Sequence, residues 1–381
     1  MLGGGPKGGT PDGGQSDSGH RYQSLESAGP DSGATYYGSV LYLTQPENLE
    51  ALLPNEPPFR TRQLREWLYE HPVLTTEEMT SLPSTLRTEL ADRLWPFVLE
   101  VEQSADAGMT RKWLFRTPDG AAIEAVLMGY ARRTTLCISS QVGCALGCTF
   151  CATGQFGFER HLEAGEIVAQ VAFAQAFLAD GGMKGCPSRI TNIVFMGMGE
   201  PLANYARVRE SIRRMIEHMG ISARAITVST VGVVPGMRRL AAEPWQVNLA
   251  VSLHAAEDAL RTTLVPLNKR YPLEQVEAAA AEFFAAKHRR VSIEWTMIDG
   301  VNDSDVQAAK LAAIARRLHA HVNLIALNPT PLTPDRPALR ERIEGFLGVL
   351  RREGVNATLR DTRGSDIDAA CGQLRARSAG R

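Results

Sequence analysis

Cys144, Cys148 and Cys151 stand in the run Gly143-Cys-Ala-Leu-Gly-Cys-Thr-Phe-Cys-Ala152. The C-x3-C-x2-C spacing gathers three thiols in a short glycine-containing loop that holds no fourth cysteine. Thiolates are the ligands of iron–sulfur clusters, which usually take four. Three leave one iron of a [4Fe–4S] cluster open to a group that is not protein, and an open iron implies chemistry rather than scaffolding. A structural zinc ion is the alternative. Zinc takes four ligands, commonly in C-x2-C pairs, so it would have to borrow a distant His or Cys.

The elements around this loop follow a repeated beat. From residue 135, β-rich runs occur at 135–139, 192–195, 225–229, 248–252, 292–296 and 322–326, with amphipathic helical stretches at 163–178, 205–219, 273–287 and 303–318. Strand–helix alternation predicts a parallel sheet with right-handed crossovers. Six units are fewer than the eight of a closed barrel, so a partial barrel or open sheet is expected. Parallel folds build their sites at the C-terminal ends of the strands. The first strand leads to the three cysteines, the second to Gly197-Met-Gly-Glu-Pro201, the third to Ser229-Thr-Val-Gly232 and the fourth to Ser252-Leu-His254. Asp299-Gly-Val-Asn302 and Asn328-Pro329 follow the last two. Polar or glycine-rich residues at six strand ends in register predict a site.

Within that site, Gly197 and Gly199 let a backbone approach a ligand, and Glu200 offers a carboxylate to an ammonium group, as on an amino-acid-like ligand. Asn328 has the donors and acceptor to meet a purine edge; its plainer role is to start an Asn-Pro turn. Cys137, inside the first strand, reads as a small buried hydrophobe. Cys371 has small neighbours, Ala369, Ala370 and Gly372, which leave its thiol reachable and therefore reactive. Glu124 interrupts an apolar strand (Ile123, Ala125, Val126, Leu127) and shares a face with Val126, which suits proton transfer or an edge ion pair. Cys186, beside Pro187, has no assigned role.

Composition sets the frame. The chain has 381 residues, 44% hydrophobic and 22% charged, with a formal net charge of −1. No apolar stretch reaches the roughly 18 residues of a membrane span. Six cysteines, three of them within eight residues, suit a reducing compartment better than a disulfide scaffold, so a cytoplasmic protein is expected. Near-neutral charge argues against a non-specific nucleic-acid coat but leaves room for local basic patches: Arg132–Arg133, Arg289–Arg290, and seven arginines against four acids over 351–381. Five segments are expected. Residues 1–38, with eleven of the 34 glycines, form a disordered tail. A helical accessory domain covers 39–100, a β-hairpin linker 101–130, the core 131–338, and a C-terminal extension carrying Cys371 339–381.

These residues resemble the radical S-adenosylmethionine superfamily, and within it the RlmN-type dual-specificity RNA adenine methyltransferases. The resemblance runs from about residue 45 to 375. It rests on Phe59-Arg-Thr-Arg-Gln-Leu-Arg-Glu-Trp67, Thr110-Arg-Lys-Trp113, Leu136-Cys-Ile-Ser-Ser-Gln-Val-Gly-Cys144, Cys151-Ala-Thr-Gly154, Gly197 to Pro201, Ser252-Leu-His254 and the stretch from Arg363-Gly364 to Gln373-Leu374. It implies a partial (β/α)6 parallel barrel with a small N-terminal helical domain and a C-terminal extension. Cys144, Cys148 and Cys151 would hold a [4Fe–4S] cluster. Gly199, Glu200, Ser229, Ser252, Leu253, His254 and Asn328 would line a pocket for S-adenosylmethionine.

The implied reaction methylates carbon 2 of adenine, in 23S rRNA (adenosine 2503) and in tRNA (adenosine 37). That carbon is electron-poor and cannot attack a sulfonium methyl group, so two molecules of S-adenosylmethionine are needed. One methylates Cys371; cleavage of the second at the cluster activates that methyl group for addition to the ring. Glu124 would accept the carbon 2 proton, and Cys137 would resolve the adduct through a transient disulfide with Cys371, which requires Cα atoms roughly 4.4–6.8 Å apart. A flavodoxin- or ferredoxin-type electron donor, a monomeric state and no membrane partner are expected. Two departures from the family pattern are His161, where Asn is common, and Ser365, where an acid is usual. The rivals are Cfr-type methylation of carbon 8 of the same adenine, and a non-catalytic iron–sulfur or zinc protein that binds RNA.

Overall fold

The strands and helices read from the sequence wind progressively along the chain. The computed structural model describes residues 40–330, 332–333 and 335–374. The expected disordered tail and the last arginines, Arg375, Arg377 and Arg381, lie outside the described residues. In chain order the strands are β1 (Val98–Ala105), β2 (Thr110–Arg116), β3 (Ala122–Tyr130), β4 (Arg133–Cys137), β5 (Gln141–Gly143) and β6 (Phe158–His161). They continue with β7 (Asn192–Phe195), β8 (Ile226–Thr230), β9 (Asn248–Ser252), β10 (Ser292–Met297), β11 (His321–Ala326) and β12 (Ala357–Leu359).

Ten of these make one sheet in the order β1-β2-β3-β4-β7-β8-β9-β10-β11-β12, and β5 pairs with β6 as a separate ribbon. From β4 onward the neighbours are parallel, with Thr135 opposite Asn192, Val194 opposite Thr227, Ser229 opposite Ala250 and Trp295 opposite Leu324. Order in the sheet follows order in the chain, so right-handed crossovers place the helices on one face and leave the other to line a site. The sheet is open: no pairing between β1 and β12 closes it among the described residues. That is the partial-barrel architecture expected, with one addition. β12 is a seventh parallel strand, too short at three residues to show a hydrophobic period.

Residues 98–130 form an antiparallel meander, β1–β3, hydrogen-bonded through β4 into the same sheet. Pro118-Asp119-Gly120 makes the β2–β3 turn, in which Asp119 accepts from Thr117 and from the Ala121 amide. The N-terminal helices pack beside it. Leu64 and Leu68 are fully buried, Trp67 is half-buried, and Thr75 with Glu78 forms a capping box. The helix Ser84–Leu90 begins directly after Pro83. Phe173 and Phe177 meet Trp113 edge-on at 5.2 and 5.1 Å, tying the meander to the helix Ala164–Ala179.

That helix also positions the site. Glu163 and Glu166 cap its N-terminus, and Asp180-Gly181 ends it. Its buried Gln170 takes both backbone groups of Ser139, accepting from the amide at 2.9 Å and donating to the carbonyl at 3.0 Å. Ser139 Oγ in turn donates to the Glu124 carbonyl at 2.6 Å and accepts from the Met198 amide at 2.9 Å. Each such buried bond contributes about 1 kcal/mol net and would cost more to leave unmade. Together they fix where β4 hands the chain to the cysteine loop.

Candidate active site

The β5–β6 ribbon frames the cysteine loop. The Cys144 amide donates to Gly157 at 2.7 Å and the Cys151 amide to Cys148 at 3.2 Å, closing the loop on itself. All three cysteines face one cavity at the C-terminal ends of the parallel strands. Burial pushes the Cys144 thiol up to about 12 and the Cys148 thiol well above its ordinary value, with the neighbouring thiols adding to the second shift. Thiols so placed become ligands only with a cation to stabilise the thiolates, and metal binding would release their protons. Among the described residues no three His, Cys, Asp or Glu side chains converge as they would around a single ion. Three thiols spread around one cavity suit a cluster, whose ligands sit on separate irons.

The other strand ends supply the polar wall. Gly199, Glu200, Ser229, Ser252, His254 and Asn328 all line the same cavity. Gly199 has φ +96°, and a Cβ there would lie 2.5 Å from Cβ of Gln141, so no side chain fits. Glu200 is buried; its carboxylate accepts from the Leu202 and Val231 amides, both at 3.0 Å. Burial raises it to about 7 against those bonds. His254 adopts φ +61° and Phe150 packs edge-on against its ring at 4.5 Å. Its Nδ1 accepts from the Thr296 amide at 3.0 Å, and burial lowers its pKa to about 3. The ring is therefore neutral, with its proton assigned to Nε2 by the hydrogen bond at Nδ1. Leu253 does not line the cavity; it is buried in the main core and its carbonyl accepts from Arg261 at 3.0 Å.

Cys371 joins this cavity to a second, smaller one lined by Cys137, Cys371 and Arg360. The carbonyl of Cys371 accepts from Asn328 Nδ2 at 3.0 Å. Cys371 is exposed, yet its surface opens onto the cavities and the surrounding protein pushes its thiol up, opposed by the Arg360 guanidinium. Burial drives the Cys137 thiol up to about 12, and Cys371 adds to the shift. Both are free thiols. Glu124 borders neither cavity. It is buried on β3, two residues from Val126, the register partner of Cys137, and Lys112 Nζ lies 2.9 Å from its carboxylate.

Some residues of this arrangement escape the strand-end reading. Arg360 follows β12, the strand too short to anticipate. Glu294 and Thr296 reach the cavity from within β10. The expected contribution after β10, Asn302, instead bonds the His254 and Thr296 carbonyls at 2.8 and 2.7 Å. Arg261 is wholly buried and binds the carbonyls of Val231 and Leu253 at the ends of β8 and β9. Lys112 sits within Thr110-Arg-Lys-Trp113, where alternation on a strand facing Glu124 is the signal. His161, one of the two departures, bonds Gln141 Nε2 at 3.0 Å, and Gln141 Oε1 accepts the Glu200 amide at 2.8 Å. The departure thus lies behind the ligand wall.

The three-thiol loop on an open parallel sheet, with the match of residues 138–312 to the family model described as "Radical SAM superfamily", defines a radical SAM enzyme, a class that uses a [4Fe–4S] cluster and S-adenosylmethionine. Residues 45–95 match a second model, "Ribosomal RNA large subunit methyltransferase N-terminal domain". The chain is 49% identical over 336 residues to the "Probable dual-specificity RNA methyltransferase RlmN" of Bifidobacterium adolescentis, covering 84% of this chain and 86% of that one. The protein of the same name from Chloroflexus aurantiacus is 48% identical over 333 residues, covering 84% and 88%. A crystal structure of a radical SAM methyltransferase from Sphaerobacter thermophilus superposes with a TM-score of 0.83 at 50% identity, over 89% of this chain and 99% of that one. The chain belongs to the RlmN family of RNA methyltransferases.

Proposed function

We propose that this enzyme methylates carbon 2 of an unstacked adenine in 23S rRNA and in tRNA, with Cys371 as methyl carrier. The observation that carries the reading is the placement of Cys371 between two cavities, one shared with the three loop cysteines and one shared with Cys137. Cys144, Cys148 and Cys151 would hold the cluster, and Glu200, Ser229, Ser252, His254 and Asn328 would hold S-adenosylmethionine. When bound, the cluster supplies the electron that cleaves S-adenosylmethionine, which itself supplies the methyl group.

The chain's own residues then divide the remaining work. Arg360 favours the Cys371 thiolate that must take the methyl group. Glu124 accepts the proton from carbon 2, and Cys137 attacks the Cys371 sulfur to free the product. Tyr130, on the wall of the second cavity, carries the guanidinium carbons of Arg133 and Arg363 at 4.1 and 4.9 Å from its ring centre. This cationic rim suits the phosphates beside an extruded base. A flavodoxin- or ferredoxin-type protein would supply electrons, and the free thiols suit the reducing cytoplasm.

The test is anaerobic reconstitution with iron and sulfide, followed by reduction with S-adenosylmethionine and an RNA fragment. The expected products are 5′-deoxyadenosine and 2-methyladenosine, read by mass spectrometry. A product methylated at carbon 8 would replace the assigned regiochemistry. RNA binding without 5′-deoxyadenosine would overturn the enzyme reading.

A further inference from the structure

Lys112 is a cation more than nine-tenths buried, on β2, outside the set of residues given a role above. An ammonium has three donors and no acceptor, and here its nitrogen meets three partners. One is the Glu124 carboxylate at 2.9 Å. The others are the carbonyls of Ile367 and Asp368, at 3.0 and 3.2 Å. Those carbonyls belong to the loop that carries Cys371.

This loop follows β12 and bends at Gly364, whose φ of +62° and whose neighbours, Ala369 Cβ at 2.8 Å and Thr110 Cγ2 at 3.0 Å, admit no side chain. Two further left-handed points, Asp368 and Gly372, follow. The Lys112 contacts lie between the Gly364 bend and Cys371. At the far end Asn328 holds the Cys371 carbonyl, and the Ala152 amide holds Gly372 at 2.7 Å.

We propose that Lys112 is a positioning residue that couples the charge on Glu124 to the placement of the Cys371 loop. This rests on the reading of Glu124 as proton acceptor. While Glu124 is a carboxylate, the buried ammonium has its counter-charge and clamps the loop. When Glu124 takes a proton from carbon 2, the C–H electron pair remains with the ring and the counter-charge disappears. An uncompensated buried cation is strongly unfavourable. Lys112 then withdraws toward water and gives up the two loop carbonyls, and Cys371 becomes free to move toward Cys137. Proton removal thereby precedes and permits resolution.

Hydrogen–deuterium exchange of the reconstituted full-length enzyme tests the coupling without relying on turnover. In Glu124→Gln, amides of residues 366–371 should exchange several-fold faster than in the unsubstituted protein, while the core strands stay protected. Lys112→Met should accelerate the same amides, and Lys112→Arg, which keeps the charge, should restore protection in large part. Unchanged loop exchange in Glu124→Gln overturns the proposal, whether or not Lys112→Met folds. So does equal acceleration in Lys112→Arg and Lys112→Met. Undiminished formation of 2-methyladenosine by Glu124→Gln, with the exchange pattern as expected, would instead overturn the assignment of Glu124 as proton acceptor and leave the coupling standing.

Discussion

Two loops meet at the cavity, and they are held in opposite ways. The cysteine loop is closed at its base by local bonds, with the Cys144 amide reaching Gly157, the Gln155 amide reaching Cys151 and the β5–β6 ribbon beneath it, while Thr149 ties its tip to Leu264 and Thr333. The loop carrying Cys371 is fastened largely to distant parts of the chain. Lys112 holds it across 255 and 256 positions, Thr153 across 221 and Asn328 across 43. Local closure makes a rigid frame for a cluster that must not move. Distant tethers make a loop that can be released one contact at a time, as a methyl carrier that visits two cavities requires.

The largest effects should come from breaking each loop at its own sulfur. Cys148→Ala should abolish cluster assembly, with loss of bound iron and of 5′-deoxyadenosine to background, while exchange of the 364–374 amides stays as in the unsubstituted protein. Cys371→Ala should do the reverse, keeping iron and S-adenosylmethionine cleavage and losing RNA methylation. An iron-free Cys371→Ala protein would show that the two loops are a single folding unit and erase the distinction.

The same distinction explains what the sequence makes legible. The cysteine spacing can be read because its geometry is local, and Glu200, Ser229, Ser252, His254 and Asn328 because each follows a strand of visible pattern. Arg360 follows β12, which at three residues carries no period. Arg261 acts through contacts to backbone carbonyls, as Lys112 does toward the Cys371 loop, and a carbonyl leaves no mark on residue type; only the pairing of Lys112 with Glu124 has a strand pattern to read. Leu253, which the family resemblance places beside Ser252 and His254, turns its side chain into the core. Cys186 makes side-chain contact near Met183 and Met109 around Gly129, away from both cavities.

A smaller effect should appear in the cavity wall. Burial raises Glu200 from the ordinary 4.5 to about 7. Between those values the folded protein holds a proton that the unfolded chain has released, so the contribution of Glu200 to stability is present at low pH and lost as pH rises through about 7. Glu200→Gln should remove that slope. The difference in unfolding free energy between the two proteins, without S-adenosylmethionine, should change by on the order of 3 kcal/mol across the window. S-Adenosylmethionine affinity should run the other way, strengthening as the carboxylate forms to meet the ammonium group. Denaturant titrations and binding at several pH values read both, and a pH-independent difference would show that Glu200 is charged throughout.

The smallest expected effect lies at the seam between the loops. Thr153 stands two residues past Cys151, and its buried hydroxyl donates to the Leu374 carbonyl at 2.6 Å. Thr153→Val keeps the volume and removes the donor, leaving one carbonyl without that partner at a cost of about 1 kcal/mol, or roughly fivefold in an equilibrium. If the loops are held independently, exchange of the 371–374 amides should rise by about that factor. Amides 144–151 should not change, because their own bonds are untouched. Acceleration on both sides would mean that the cysteine loop depends on the carrier loop for its shape, and that releasing Cys371 would also disturb the cluster. The contrast between a rigid frame and a released carrier holds only if this one hydroxyl loosens one side.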